Sequence, residues 1–151
     1  MTAATTRYTA FLVALLVLAL PSVAGASNAS LKRTLATWSH RIGADARGVA
    51  LSATRRHPRR MTRRASHFRR DALMARRALA AQRPTTARGA RSRALALAAF
   101  RDYAVVGREW ALSGRARLRH MKALAARHAR IARRFATKGN HVLVAAARLL
   151  R

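Results

Sequence analysis

Residues 59–81 read RRMTRRASHFRRDALMARRALAA, and their spacing is that of an amphipathic α-helix. When each residue is turned by about 100°, the apolar side chains fall on one narrow stripe: Met61, Ala65, Phe68, Ala72, Ala75 and Leu79. The opposite side carries four arginines, which we name the 59–77 row: Arg59, Arg63, Arg70 and Arg77. An apolar stripe of this kind packs against a core, so the segment predicts a helix within a helical domain.

A similar stripe precedes this segment, and a turn follows it. We expect a first helix with Ser30 as its N-cap, ending near His57 because the residue before a proline disfavours helical backbone. Its stripe consists of Leu31, Leu35, Trp38, Ile42 and Val49. The sequence Arg83-Pro84-Thr85-Thr86 predicts a turn in which one of the threonines caps the next helix.

Three further helices are predicted in the second half of the chain. The third spans about Ala87 to Leu112 and ends at Ser113-Gly114, and the fourth spans about Arg115 to Thr137. Lys138-Gly139-Asn140 is typical of a helix end followed by a new start, which leaves a short last helix from Val142 to Leu150. No fixed-period repeat is visible, and short connections favour antiparallel neighbours. We therefore predict an all-α fold, a small antiparallel bundle of three or four main helices plus a short C-terminal helix.

The N-terminal segment 1–26 is typical of a secretory signal peptide. Arg7 is its only charge, the run 10–20 is apolar, and Pro21 precedes small residues at Ala24 and Ala26. The alternative is an uncleaved anchor, but eleven apolar residues are fewer than the roughly twenty that a spanning helix needs. We expect a mature domain of residues 27–151 that is secreted or held in the cell envelope.

The composition makes this domain a polycation with a modest core. The chain has 32 Lys and Arg against 4 Asp and Glu, a formal charge of +28, no Cys and only 5% aromatic residues. Losing Arg7 with the signal peptide leaves +27. Without disulfides, and with an interior built largely of Ala and Leu, a large enzyme with a deep cleft is not expected. Partial disorder without a partner is a second possibility at this charge.

The 59–77 row is the strongest candidate for a functional site. Guanidinium groups in a line along one helix face suit a linear polyanion whose phosphates or carboxylates each accept a forked pair of hydrogen bonds. A second cationic face on the fourth helix adds the candidates Arg119, Arg130, Arg133 and Arg134. The alternative is a merely solvated face whose arginines reflect a GC-rich genome.

The predicted location selects among anionic partners. Wall phosphate polymers, anionic lipid and extracellular nucleic acid all fit an exported polycation, although the row lacks the aromatic residues with which single-strand binders interleave their charges. We therefore predict a secreted, non-enzymatic protein that binds polyanions. Two other classes stay open: a cationic membrane-active or antibacterial protein whose helices open onto lipid, and a structural subunit completed by a protein partner.

The four acidic residues are expected to order the helices. Asp45, Asp71, Asp102 and Glu109 all fall inside predicted helices, where an arginine of a neighbouring helix could pair with each of them. The functional alternative is that Glu109, beside Trp110, acts as a lone general acid on a glycan. The sequence lacks the glycines and aromatic residues that typically line a sugar-binding cleft.

No other motif supports catalysis or a cofactor. There is no Cys and no Gly-x-Ser-x-Gly sequence, and no two histidines show the spacing of three to five residues that a zinc site uses. His67 and Asp71 stand four apart, and His120 and His128 stand eight apart. We expect no metal, no cofactor and no small-molecule substrate, and we expect His128 to be a packed, hydrogen-bonded residue of the core.

Overall fold

The computed structural model describes residues 28–151, and the regular structure in that range is helical, with no strand. Four helices follow one another along the chain: α1 Ala29–Thr54, α2 Pro58–Ala80, α3 Ala87–Leu118 and α4 Lys122–Arg148. The predicted all-α fold is confirmed. The predicted signal peptide, residues 1–26, lies outside the described residues.

Each helix packs along the next one in the chain, because the turns between them are only three to six residues long. The helix α3 lies centrally, against both α2 and α4, whereas among these four helices α1 and α4 do not run along each other. Apolar side chains of all four form one buried cluster. Half-buried large residues pack against its margin, among them Trp38, Trp110 and Phe135.

Glycines of α3 bring α2 and α3 unusually close together. A Cβ atom at Gly107 would lie only 2.7–2.8 Å from the Cβ, Cα and N atoms of Arg69, and one at Gly114 would lie 3.1 Å from the carbonyl oxygen of Pro58. Ser113, beside Gly114, is buried and donates 2.9 Å to the carbonyl oxygen of Ala125 in α4. The prediction that Ser113-Gly114 ends the third helix is wrong, because these small residues serve contacts and the helix runs on to Leu118.

The helix α4 is likewise continuous where a break was predicted. Gly139 lies inside it, and a Cβ atom there would be 3.0 Å from the Cε1 atom of Tyr103. Asn140 accepts a 2.5 Å hydrogen bond from the Tyr103 hydroxyl. The predicted separate short C-terminal helix is therefore not present. Gly139 leaves room for the Tyr103 ring and Asn140 accepts its hydroxyl, while α4 continues through both residues.

Both three-residue turns have the same geometry, although neither contains a glycine. Arg56 and His120 adopt the left-handed conformation, with φ of 54° and 58°. In each turn the following N–H bonds the carbonyl five residues back, from His57 to Ser52 and from Met121 to Ala116. This is the Schellman motif, whose left-handed position glycine occupies most readily. The two hairpins thus turn alike at positions sixty-four residues apart.

Helix starts agree with the sequence at one of two caps. Thr86 caps α3 as predicted, because its Oγ1 accepts 3.0 Å from the N–H of Gly89. The cap of α1 lies two residues earlier than predicted, at Asn28, and the helix begins at Ala29. Ser30 is already inside it and donates to the side chain of Gln82.

Candidate anion-binding face

All four arginines of the 59–77 row are exposed. At about 100° per residue, the row lies roughly 90° from Thr62 and Arg69, which contact α3 at Gly114 and Gly107. It lies about as far on the other side from Arg64 and His67, which contact α1. The row therefore runs along the outer ridge of α2, and its length from Arg59 to Arg77 is about 27 Å.

The second predicted face is divided between α4 and a turn. Arg130, Arg133 and Arg134 are exposed on α4, as the helical spacing indicated. Arg119 is exposed too, but it is the C-cap of α3 and belongs to the turn before α4. The expectation that Arg119 shares a helix face with the other three is wrong, because α3 continues past Ser113-Gly114.

A further arginine row lies on α3 and was missed by the sequence analysis. Arg101, Arg108 and Arg115 follow one another at intervals of seven residues and are exposed, and we name them the 101–115 row. The interval of seven was the available signal, since it returns a helix to nearly the same face.

Two of the four acids lie between α1 and α2. The Asp45 carboxylate accepts 3.2 Å from Nδ1 of His67, and partial burial raises the pKa of Asp45 although this hydrogen bond lowers it. Asp71 is fully buried and accepts a hydrogen bond from Nε of Arg41, and its Oδ2 atom lies 3.9 Å from His67 Nδ1. These contacts join α1 to α2.

The other two acids lie between α3 and α4. Lys138 Nζ is 3.3 Å from Asp102 Oδ2, an ion pair whose angle falls short of a hydrogen bond. Glu109 accepts 2.7 Å from Nδ1 of His128 and 2.9 Å from Nη2 of Arg108. Burial raises the pKa of Glu109, but these hydrogen bonds outweigh it and leave that pKa below its ordinary value.

The acids are thus placed at helix contacts, but with different partners from those predicted. The cation from the neighbouring helix is an arginine only at Asp71. It is a histidine at Asp45 and Glu109, and Lys138 at Asp102. His128 is hydrogen-bonded as expected, although it is only partly buried. Since three of the carboxylates are buried and the fourth is partly so, the described surface is almost free of negative charge.

Within residues 28–151, one group of side chains offers atoms that a metal ion could use. Single ligand atoms of Asp45, His67 and Asp71 all lie within 4.8 Å of one another. Spacing along the chain could not indicate this group, because Asp45 comes from α1 and the other two from α2. The guanidinium of Arg41 already pairs with Asp71, and this cation neutralises the carboxylate that a metal would need.

The geometry gives no support to glycan hydrolysis by Glu109. Its carboxylate is buried and engaged by Arg108 and His128, so it has no open approach for a sugar. The shallow cavity beside the start of α2 is lined by basic and apolar groups and contains no carboxylate: His57, Pro58, Arg59, Arg60 and Leu118. This cavity therefore offers no carboxylic acid that could protonate a sugar bound in it.

None of the four described helices combines the length and the hydropathy needed to span a bilayer. Comparison with protein-family models, with curated proteins and with solved structures finds no match to this chain.

Proposed function

We propose that this protein binds anionic polymers of the cell envelope through its arginine rows and that it is not an enzyme. One observation carries the proposal. The few carboxylates are engaged at the contacts within the two helical hairpins, while the 59–77 row stays exposed. An incoming polyanion therefore meets guanidinium groups that have no carboxylate of their own helix face to displace.

Binding would be driven by released counterions and directed by forked hydrogen bonds. Each phosphate or carboxylate of the polymer can accept two parallel N–H bonds from one guanidinium. If about six to eight phosphates are neutralised, the logarithm of affinity for a duplex-like polymer falls against log salt with a slope of roughly −5 to −7. The 59–77 row offers four arginines, and the 101–115 row offers three more, of which Arg108 already donates to Glu109 and Arg101 lies 3.9 Å from Asp102.

The predicted signal peptide favours partners outside the cytoplasm. Wall phosphate polymers, anionic lipid and extracellular nucleic acid remain the candidates that share this chemistry. No aromatic side chain lies among the arginines of the 59–77 row, since Phe68 is buried on the opposite side of α2. Of these candidates, single-stranded nucleic acid recognised through stacked bases is therefore the least favoured.

The test is retention of the full chain on immobilised heparin over a series of salt concentrations. We expect the double variant Arg63→Gln/Arg70→Gln to elute at lower salt and to reduce the slope by about one for each arginine removed. The control Arg83→Gln/Arg88→Gln removes the same charge from exposed positions outside both rows. Salt-independent retention, or an equal effect of both double variants, would refute binding through the row.

A second pair of variants separates forked recognition from charge alone. The change Arg63→Lys/Arg70→Lys keeps the charge but removes the planar fork. We expect it to weaken retention on heparin by less than the glutamine pair does, but measurably. Retention equal to that of the unmodified chain would mean that the rows act only as an electrostatic field.

A further inference from the structure

The helices α1, α2 and α3 form a curved layer, because α1 and α3, on the two flanks of α2, also contact each other where both helices begin. On α2, the residues that contact α1 (Arg64, His67) and those that contact α3 (Thr62, Arg69) lie about 180° apart around the helix axis at about 100° per residue. Helices attached at opposite sides of α2 lie side by side with it. The buried stripe of α2 faces one side of this layer, and the 59–77 row faces the other.

The row on α3 faces the same side of the layer. On α3, the 101–115 row lies about 110° from the residues that contact α2, Gly107 and Gly114. It lies about 170° around the helix from Ser92 and Ser113, which bond to α4, so α4 packs on the side of α3 that faces away from the row. Viewed from the N-terminus of each helix, the row is displaced in the same rotational direction from the residues that contact the other helix. Because the two helices are antiparallel, that direction places both rows on one side.

The helix α1 completes this cationic face. Its exposed residues Arg33, His40 and Arg47 also recur every seven positions, and by the same geometry they lie on the side opposite the buried stripe of α1. We name this side, formed by α1, α2 and α3, the three-helix face. At 8–10 Å between neighbouring helices, the face is at most about 20 Å wide, is narrower where α1 and α3 meet, and is about 27 Å long.

The three-helix face also carries exposed apolar side chains and none of the acids. Leu73 and Met74 flank the 59–77 row and are 36% and 42% exposed, and Leu51, beside Arg47 on α1, is 56% exposed. All four carboxylates are directed to helix contacts instead. The face therefore combines a broad array of guanidinium groups with single apolar side chains between them.

We infer that the folded protein docks the three-helix face on an anionic bilayer surface, with Leu51, Leu73 and Met74 entering the headgroup region. The inference deepens the proposed function by naming its partner. A linear polymer follows one row at a time, whereas a plane of lipid phosphates meets three rows at once. Only a bilayer offers apolar depth to side chains that stand between the charges. The core stays closed, so this differs from helices that open onto lipid.

The docked orientation is tested with a fluorophore at one of two positions. The chain has no native cysteine, so Met74→Cys and Val144→Cys each provide a single labelling site. Both positions are 42% exposed, but Val144 lies on α4, which is not part of the three-helix face. On vesicles of equal parts phosphatidylglycerol and phosphatidylcholine, we expect a lipid-attached quencher to quench the label at position 74 several times more strongly. Equal quenching at both positions overturns the orientation.

Cosedimentation with the same vesicles tests the charges. Relative to the unmodified full chain, we expect Arg63→Gln/Arg70→Gln to lower binding by roughly tenfold to thirtyfold, since each arginine near an anionic surface is worth about fivefold. The control Arg127→Gln/Arg148→Gln removes equal charge from exposed positions on α4, and we expect it to lower binding less than threefold. Binding to pure phosphatidylcholine vesicles gives the baseline, because it includes any binding through residues 1–27, which every variant contains.

The outcomes separate this inference from the proposed function. Salt-dependent retention on heparin without binding to anionic vesicles above that baseline keeps the proposed function and overturns the membrane partner. Failure of both overturns both. Leakage of vesicle contents together with loss of helix-helix packing also overturns the inference, because it would mean that the bundle opens rather than docks.

Discussion

Replacing Gly107 by alanine should destabilise the protein, although alanine is the better helix former. Alanine in a helix interior is favoured over glycine by about 1 kcal/mol. The added Cβ, however, would lie 2.7–2.8 Å from the Cβ, Cα and N atoms of Arg69, two of which belong to the α2 backbone. The clash is relieved only if α2 moves away from α3. Overpacking of this kind costs up to about 3 kcal/mol, which leaves a net loss of up to about 2 kcal/mol.

Gly48→Ala is the matched control, because the same atom added there meets a flexible group. Its nearest neighbour would be the terminal Nη1 of Arg64, and the next atoms lie at 3.4 Å. The arginine can rotate away, so we expect a gain of about 0.5–1 kcal/mol from helix propensity. Urea unfolding followed by helical circular dichroism measures the free energy of unfolding of both variants. In a thermal scan, a loss of 2 kcal/mol would lower Tm by roughly 8 °C. If Gly107→Ala is as stable as the unmodified chain, the close contact of α2 and α3 is not as described.

Two further predictions concern the turns and the buried acid Glu109. Arg56→Gly and His120→Gly should each raise the free energy of unfolding by roughly 0.5 kcal/mol, because glycine avoids the left-handed strain at these positions; a loss at both, measured by urea unfolding, would contradict this. The pKa of Glu109 lies below its ordinary 4.5, so its hydrogen bonds add stability above that pH and lose it as the pH falls through the folded value. The variant Glu109→Gln should therefore lose less stability than the unmodified chain during acid titration, and identical titration curves would show that the hydrogen bonds to Glu109 are not formed.

The helices were predictable from the sequence, but two of their ends were not. Apolar stripes such as the one from Met61 to Leu79 record burial directly, because the helical period determines which side chains share a face. A glycine carries no such information on its own. Gly114 and Gly139 resemble helix ends in the sequence, yet each is needed where another helix comes close. That requirement depends on the neighbouring helix, which the local sequence does not contain.

For the candidate site, too, the spacing within one helix was predictable, but the placement relative to other helices was not. The 59–77 row follows from spacing within one helix, as does the 101–115 row that was overlooked. Their position on a common side depends on how α2 and α3 are rotated about their axes, and only the contacts of Gly107 and Gly114 reveal it. The acids were expected to pair with arginines, but the neighbouring helix presents His67 and His128 at two of those contacts.

The placement of the acids links the stability of the fold to its partner. Drawing every carboxylate into a helix contact stabilises the two hairpins, but it leaves the exposed arginines of three adjacent helices to repel one another. An unfolded chain would relieve this repulsion by spreading its charges apart. A planar or linear polyanion removes it in the folded state, and only the folded state holds the rows about 10 Å apart on one side. A ligand that binds the folded chain at a hundred times its Kd adds about 2.7 kcal/mol to stability, which is a large part of what a small bundle with an alanine-rich core possesses. We therefore expect the anionic partner to be part of what keeps this protein folded, in addition to being what it binds.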